Sequence, residues 1–317
     1  MAAMHKTKQY LLALAKVLVL TITFGYIFYR LKNNHQLNFT EFTDNILSKG
    51  YLAGYFLIFL LVATSVNWLF ETLKWKHLAS TLEKTTLKTA FKQSLAALTV
   101  SLATPNRIGD YGAKALFFER KKRKKVLLLN FFANGAQLLT TIGFGIIGLV
   151  YFLQKYEVIY STNAIIGLSI GAVVLLTFGY YFKEKELLIK GFSIGKVMRY
   201  FKGLSTSLKV NIVLLSVFRY LIFSGMFYVS LLFFGAEIET FTAFALIFAM
   251  YLLASIVPSI FIFDVVIRGG FAVWLFSFPE VSELAVLSTV MLMWIFNFVI
   301  PSVIGSYFVL AYQPTTQ

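Results

Sequence analysis

Ser101-Leu-Ala-Thr-Pro105-Asn-Arg-Ile-Gly109-Asp110-Tyr-Gly-Ala-Lys114 interrupts an apolar stretch over residues 90–118. Proline removes a backbone donor and glycine frees the chain, so one helix ends here and another begins. Broken backbone at membrane depth is tolerated only where protein or a wet cavity covers it. A second stretch, 241–278, is broken in the same manner, from Pro258 through Asp264 to Arg268-Gly269-Gly270. Both breaks carry a proline, a short gap, an Asp and a base four residues later: Asp110 with Lys114, and Asp264 with Arg268. That spacing puts acid and base on one helix face, in the favourable order.

The rest of the chain sets the context. Of its 317 residues, 58% are hydrophobic and 14% charged, and 34 are Phe. Soluble domains carry about 25% charged residues, so a soluble fold is excluded, and so is disorder. Apolar runs over 10–29, 51–70, 126–153, 164–182, 210–235 and 284–312 each have about the 20 residues a bilayer crossing needs. The first run follows Lys6 and Lys8 but is too long for a signal peptide, contains Lys16 and lacks an A-x-A site, so it reads as an uncleaved helix.

Charge asymmetry orients these spans. With the N-terminus cytoplasmic, segments 1–9, 72–92, 119–125 and 183–209 hold 20 of the 29 Lys and Arg, and the opposite segments hold four. The other five are Lys16, Arg107, Lys114, Arg219 and Arg268, all at membrane depth. Both flanks of 90–118 are basic and both flanks of 241–278 are acidic, so each stretch fits a re-entrant hairpin, the first entering from the cytoplasm and the second from outside. Arms that each cross fully are the alternative. Each half then has three crossings, an odd number that inverts the second half. Pro105 and Pro258 lie 153 residues apart, and Ser101-Leu-Ala-Thr-Pro105 echoes Ser255-Ile-Val-Pro258. The expected fold is an all-α polytopic integral membrane protein, one membrane domain over 1–317. It is an inverted-topology repeat of halves 10–153 and 164–312, with six full spans and two re-entrant helical hairpins. This is a common transporter plan. Both termini are expected to be cytoplasmic, in the plasma (inner) membrane.

The chemistry is sparse. Cysteine is absent and the three histidines, His5, His35 and His77, show no ligand spacing, so no metal and no cofactor is expected. No nucleophile–base pair or nucleotide loop is visible, and the expectation is a non-enzyme. Intramembrane charges mark a functional site by default. Asp110 and Asp264 serve equally well as ligand contacts or as neutralisers of Lys114 and Arg268. Arg219 lies nine residues into its run, roughly 14 Å deep, and needs an anion there: Asp264, or a phosphate that matches guanidinium geometry. Asn130, Asn134, Gln137 and Thr141 form one stripe that faces other helices or a wet groove. Trp68 and Trp75 read as interface anchors, with Glu71 between them a weaker site candidate. Gly143, Gly145 and Gly148, and Gly167-x-x-x-Gly171, are close-packing signals. The run Arg120-Lys121-Lys122-Arg123-Lys124-Lys125 fits both a topology anchor and attraction to anionic lipid. The net charge of +15 lies in such membrane-flanking segments and is not read as nucleic-acid binding.

At its two breaks the chain resembles the lysylphosphatidylglycerol synthase transmembrane-region family. That is the domain which, in multiple peptide resistance factor proteins, moves aminoacylated phospholipid across the bilayer. The matching pieces are Pro105-Asn-Arg-Ile-Gly109-Asp110, and Pro258 with Asp264-x-x-x-Arg268-Gly269. Family members often carry Glu-Arg and a later Asp where this chain offers Asn130, Asn134 and Gln137. The resemblance implies a flippase-like protein without the synthase domain. The expected substrate is an anionic or aminoacylated phospholipid, its phosphate held by Arg107, Lys114, Arg219 or Arg268, with Asp110 and Asp264 orienting those bases or binding a cationic headgroup or a coupling proton, and with Asn134 and Gln137 as further candidate contacts. A non-transporting subunit that presents lipid to a separate synthase or glycosyltransferase is the second reading, and an intramembrane enzyme built on Asp110, Asp264 or Glu71 ranks last.

Overall fold

A computed structural model describes residues 46–102, 104, 108–158, 193–257 and 264–312, together with Asp44 and Thr177. Every regular element among them is helical. In chain order the helices are α1 (Tyr51–Ala79), α2 (Leu87–Leu102), α3 (Gly109–Leu116), α4 (Arg123–Lys155), α5 (Ile194–Lys202), α6 (Thr206–Phe233), α7 (Thr240–Ile256), α8 (Asp264–Ser277) and α9 (Glu283–Leu310). Helices α1, α4, α6 and α9 are long and apolar enough to cross a membrane, and they coincide with four of the six expected spans. The runs 10–29 and 164–182, with Gly167 and Gly171, fall outside the described residues.

Solvation is inverted relative to a soluble domain. Tyr51, Tyr55, Ile58 and Val62 of α1 are exposed, whereas Asn67, Glu71, Thr72 and Lys74 are buried. Apolar side chains outside and paired polar ones inside suit a bundle whose solvent is hydrocarbon.

Both expected breaks are present. Helix α2 stops at Leu102 and α3 restarts at Gly109, where Thr104 Oγ1 accepts the Gly109 N–H at 2.8 Å. Helix α7 stops at Ile256 and α8 starts at Asp264. In each case the two arms pack against one another. The eight residues of α3 rise about 12 Å, well short of a bilayer core of about 30 Å.

The arms also pack across the chain. Helix α2 lies on the C-terminal part of α9, α7 lies on α4, and α1 lies on α6. Two glycines permit the first two contacts. A Cβ on Gly305 would collide with the Leu95 carbonyl, and one on Gly148 with the Ala245 carbonyl. Beside them, Thr99 Oγ1 donates to the Ser302 carbonyl at 3.0 Å, and a Cβ on Gly145 would collide with Leu252. Gly143 has no such neighbour. Gly148→Val is therefore expected to force α4 and α7 apart and cost about 1–3 kcal/mol or more. A lowered melting temperature in detergent would be the sign, with Gly143→Val as a control that shifts little.

Helix ends follow local chemistry. Ser193 and Ser205 cap α5 and α6 by accepting the N–H of Lys196 and Leu208. Gly235, at φ +87°, ends α6; its N–H reaches the Leu232 carbonyl and that of Ala236 the Leu231 carbonyl, both at 3.0 Å. Helix α9 contains a π turn at Ile295–Val299. Pro301 has no N–H for the carbonyl of Asn297, four residues earlier, and the Trp68 indole donates to it instead at 3.3 Å.

Candidate functional site

Helix α1 supplies the centre. Asn67, Glu71 and Lys74 recur at helical spacing on its buried side, flanked by Trp68 and Trp75. Glu71 is held by three cations from three helices. Its Oε2 lies 2.8 Å from Lys74 Nζ and 3.1 Å from Arg219 Nη1, and its Oε1 lies 3.8 Å from Lys114 Nζ. Lys114 also stands 3.3 Å from Asp110 and donates to Asn130 Oδ1 at 2.9 Å. Asn130 closes the loop by donating its amide N–H to Asp110 Oδ2 at 2.6 Å. The side chains of Lys74 and Lys114 are 1% and 2% exposed. Five charges thus form one buried network, with three cations facing two carboxylates. Burial on this scale is sustainable only because each charge has a partner.

The tryptophans wall this network. Trp75 is fully buried, donates to Gln93 Oε1 at 2.7 Å, and lies 4.8 Å from Lys114 Nζ. Trp68 is buried, and its ring lies 5.9 Å from the Arg219 guanidinium. Neither is the interface anchor expected from the sequence; both rings pack inward because they screen cations from hydrocarbon. Lys74 likewise is a member of the core and not a cytoplasmic topology charge, since α1 continues to Ala79.

Arg219 belongs to two sites at once. Besides Glu71 it reaches Gln137 Oε1 at 3.4 Å, and it lines a cavity of about 190 Å³. Asn67, Gln137, Thr141, Arg268 and Asn297 supply the other polar groups of the lining, along with Tyr220, Tyr251 and Ser255. The cavity lies among α1, α4, α6, α7, α8 and the π turn of α9. Among its described lining residues two are arginines and none is acidic. Arg219 Nε and the hydroxyls of Tyr220 and Tyr251 are buried with no hydrogen-bond partner among the described residues. Asn67 Oδ1, an acceptor, is likewise buried without a partner among the described residues, so the feature that sets this cavity apart is its two guanidinium groups, whose planar forks match oxyanions. On one side, Phe223, Phe227, Met250, Met293, Trp294 and Phe298 extend the wall into an apolar recess, with Arg268 5.9 Å from the Phe298 ring.

Of the expected site residues, Gln137, Arg219 and Arg268 meet at the cavity. Asp110 and Lys114 sit one layer away, in the charge network. Asn134 is half-buried on α4 and does not line the cavity. Arg107 and the side chain of Asp264 lie outside the described residues. The anion found beside Arg219 is Glu71. Asn67, Asn297 and the two tyrosines are additions. A lone Asn four residues before Pro301 is the sequence signal for Asn297, and Glu71-x-x-Lys74 within an apolar helix is the signal for the charge network. In the basic run, Lys122 pairs with Glu83 at 2.6 Å and Lys121 with Glu119 at 2.9 Å. The hydrogen bond to Glu83 raises the Lys122 pKa, and that from Lys121 lowers the Glu119 pKa.

A family model described as Lysylphosphatidylglycerol synthase TM region matches residues 11–305. No curated protein and no solved structure matches the chain.

Proposed function

Since the chain belongs to the lysylphosphatidylglycerol synthase transmembrane-region family, an integral membrane family of lipid-related function, we propose that it carries phospholipid headgroups across the bilayer through the two-arginine cavity. The observation behind this reading is the pairing of Arg219 and Arg268, from α6 and α8, on one cavity with no acidic residue among its described lining. A phosphodiester offers acceptor oxygens and matches guanidinium geometry. The chain moves its ligand without converting it.

The inverted-repeat reading fits this role. Helix α2 rests on α9 and α7 rests on α4, an exchange of corresponding elements between residues 10–153 and 164–312. Gly305 on Leu95 and Gly148 on Ala245 are corresponding close contacts of that exchange. Rocking of the halves about them would open the cavity alternately to either leaflet. On this reading the protein resides in the plasma (inner) membrane with cytoplasmic termini.

Reconstitution tests the proposal. Proteoliposomes holding headgroup-labelled phosphatidylglycerol in one leaflet are expected to lose that asymmetry faster than protein-free vesicles. Zwitterionic phosphatidylcholine is expected to move more slowly. Equal, protein-independent rates for every lipid would remove the transport reading. Access from one leaflet alone would favour a subunit that presents lipid to a separate enzyme.

A further inference from the structure

Arg219 already holds an anion. Its Nη1 is 3.1 Å from Glu71 Oε2, while the same side chain faces the cavity. Of the three cations around Glu71, only Arg219 lines that cavity; Lys74 and Lys114 are sealed behind it. The three contacts are unequal. Lys74 is close at 2.8 Å and Lys114 is slack at 3.8 Å.

Resting on the anion-site reading above, we propose that Glu71 is the resident counter-ion of the cavity: an incoming phosphate group takes Arg219 from it, and Glu71 closes on Lys114. The exchange leaves no charge bare. Arg219 passes from carboxylate to phosphate, and Glu71 keeps Lys74 while its slack contact to Lys114 shortens. A simple insertion would instead bring a second anion beside a carboxylate, and like charges repel strongly in a low-dielectric setting. The exchange has a structural consequence. Lys114 sits on α3, just past the first break, and is tied through Asp110 and Asn130 to α4. None of the described residues of α2 or α3 lines the cavity. Occupancy of the cavity is thus signalled to the first broken helix pair through one carboxylate.

The proposal predicts a gain on removing a charged residue, opposite in sign to a purely structural role. Full-length protein in lipid nanodiscs is titrated with dioctanoyl phosphatidylglycerol and, separately, with inorganic phosphate. Glu71→Gln is expected to bind about tenfold more tightly than the wild type, because Arg219 no longer has a competitor. Glu71→Asp keeps the charge but draws it back by one methylene, so it is expected to lie between the two and serves if the Gln variant does not fold. In the wild type, amide hydrogen exchange over residues 109–116 is expected to slow on saturation. Unchanged or weaker binding in a folded Glu71 variant, or unchanged exchange in α3 at saturation, overturns the counter-ion role and leaves the anion site standing. If the wild type binds neither probe, the anion site itself falls, and the counter-ion role with it. Binding of both probes identifies phosphate as the recognised group, and binding of the lipid alone identifies the intact headgroup.

Discussion

Arg219→Gln is expected to reduce translocation of anionic phospholipid to the protein-free rate, with the fold retained. Hydrogen bonds to charged groups contribute about 1.5–3 kcal/mol each, so loss of one such contact weakens binding by roughly 10–150-fold. Gln keeps part of the stem and a donor, and Glu71 keeps Lys74 at 2.8 Å and Lys114 at 3.8 Å, so no carboxylate is stranded. Arg219→Lys is not a rescue, because a point ammonium cannot meet a phosphate bidentately while keeping Gln137, as the planar fork can. Arg268→Gln is expected to fall in the same direction. Titration with dioctanoyl phosphatidylglycerol and the leaflet-asymmetry assay would measure both effects. Wild-type affinity and rate in a folded Arg219→Gln protein would mean the headgroup lies elsewhere.

How much of this was readable beforehand varies with the kind of signal. Helix breaks are local. Pro105 with Gly109, and Pro258 with Asp264, interrupt apolar runs by backbone chemistry alone, and α2, α3, α7 and α8 end and start where those residues require. Arg219 was equally legible, since no snorkelling reaches water from that depth. Its partner was not. Glu71 comes just after the run 51–70, where a charge ordinarily marks a helix leaving the membrane. Only the continuation of α1 to Ala79, packed against α2, α4 and α6, turns Glu71 and Lys74 inward. The tryptophans are illegible for the same reason, because a ring beside an end-of-span charge serves as an anchor or as a wall depending on what packs over it. Asn297 illustrates the third kind. Pro301 disables one backbone bond, but the π turn that exposes the Asn297 carbonyl also depends on Trp68, 229 positions away in sequence.

The charge network carries the largest expected effect on stability. Lys114→Met keeps the length and apolar stem of the side chain and deletes only its charge. The wild-type ammonium is 3.3 Å from Asp110, 3.8 Å from Glu71, 2.9 Å from Asn130 Oδ1 and 4.8 Å from the Trp75 ring. With it gone, Asp110 loses its cation and α3 loses its tie to α1. Breaking a buried pair from one side costs about 3–5 kcal/mol, far above the roughly 0.5 kcal/mol of an ordinary surface change. Lys121→Met, at a side chain 78% exposed, provides that surface comparison. Asp110→Asn is expected to be milder, because that carboxylate is 18% exposed and Asn130 still borders it. Combining Asp110→Asn with Lys114→Met is expected to recover part of the loss, since the unpaired carboxylate is then neutral. Melting of the purified protein in one detergent across the four variants completes the cycle. Strictly additive losses for Asp110 and Lys114 would show that the two do not stabilise α3 as a pair. Coupling of at least about 1 kcal/mol is what the short bridge through Asn130 requires.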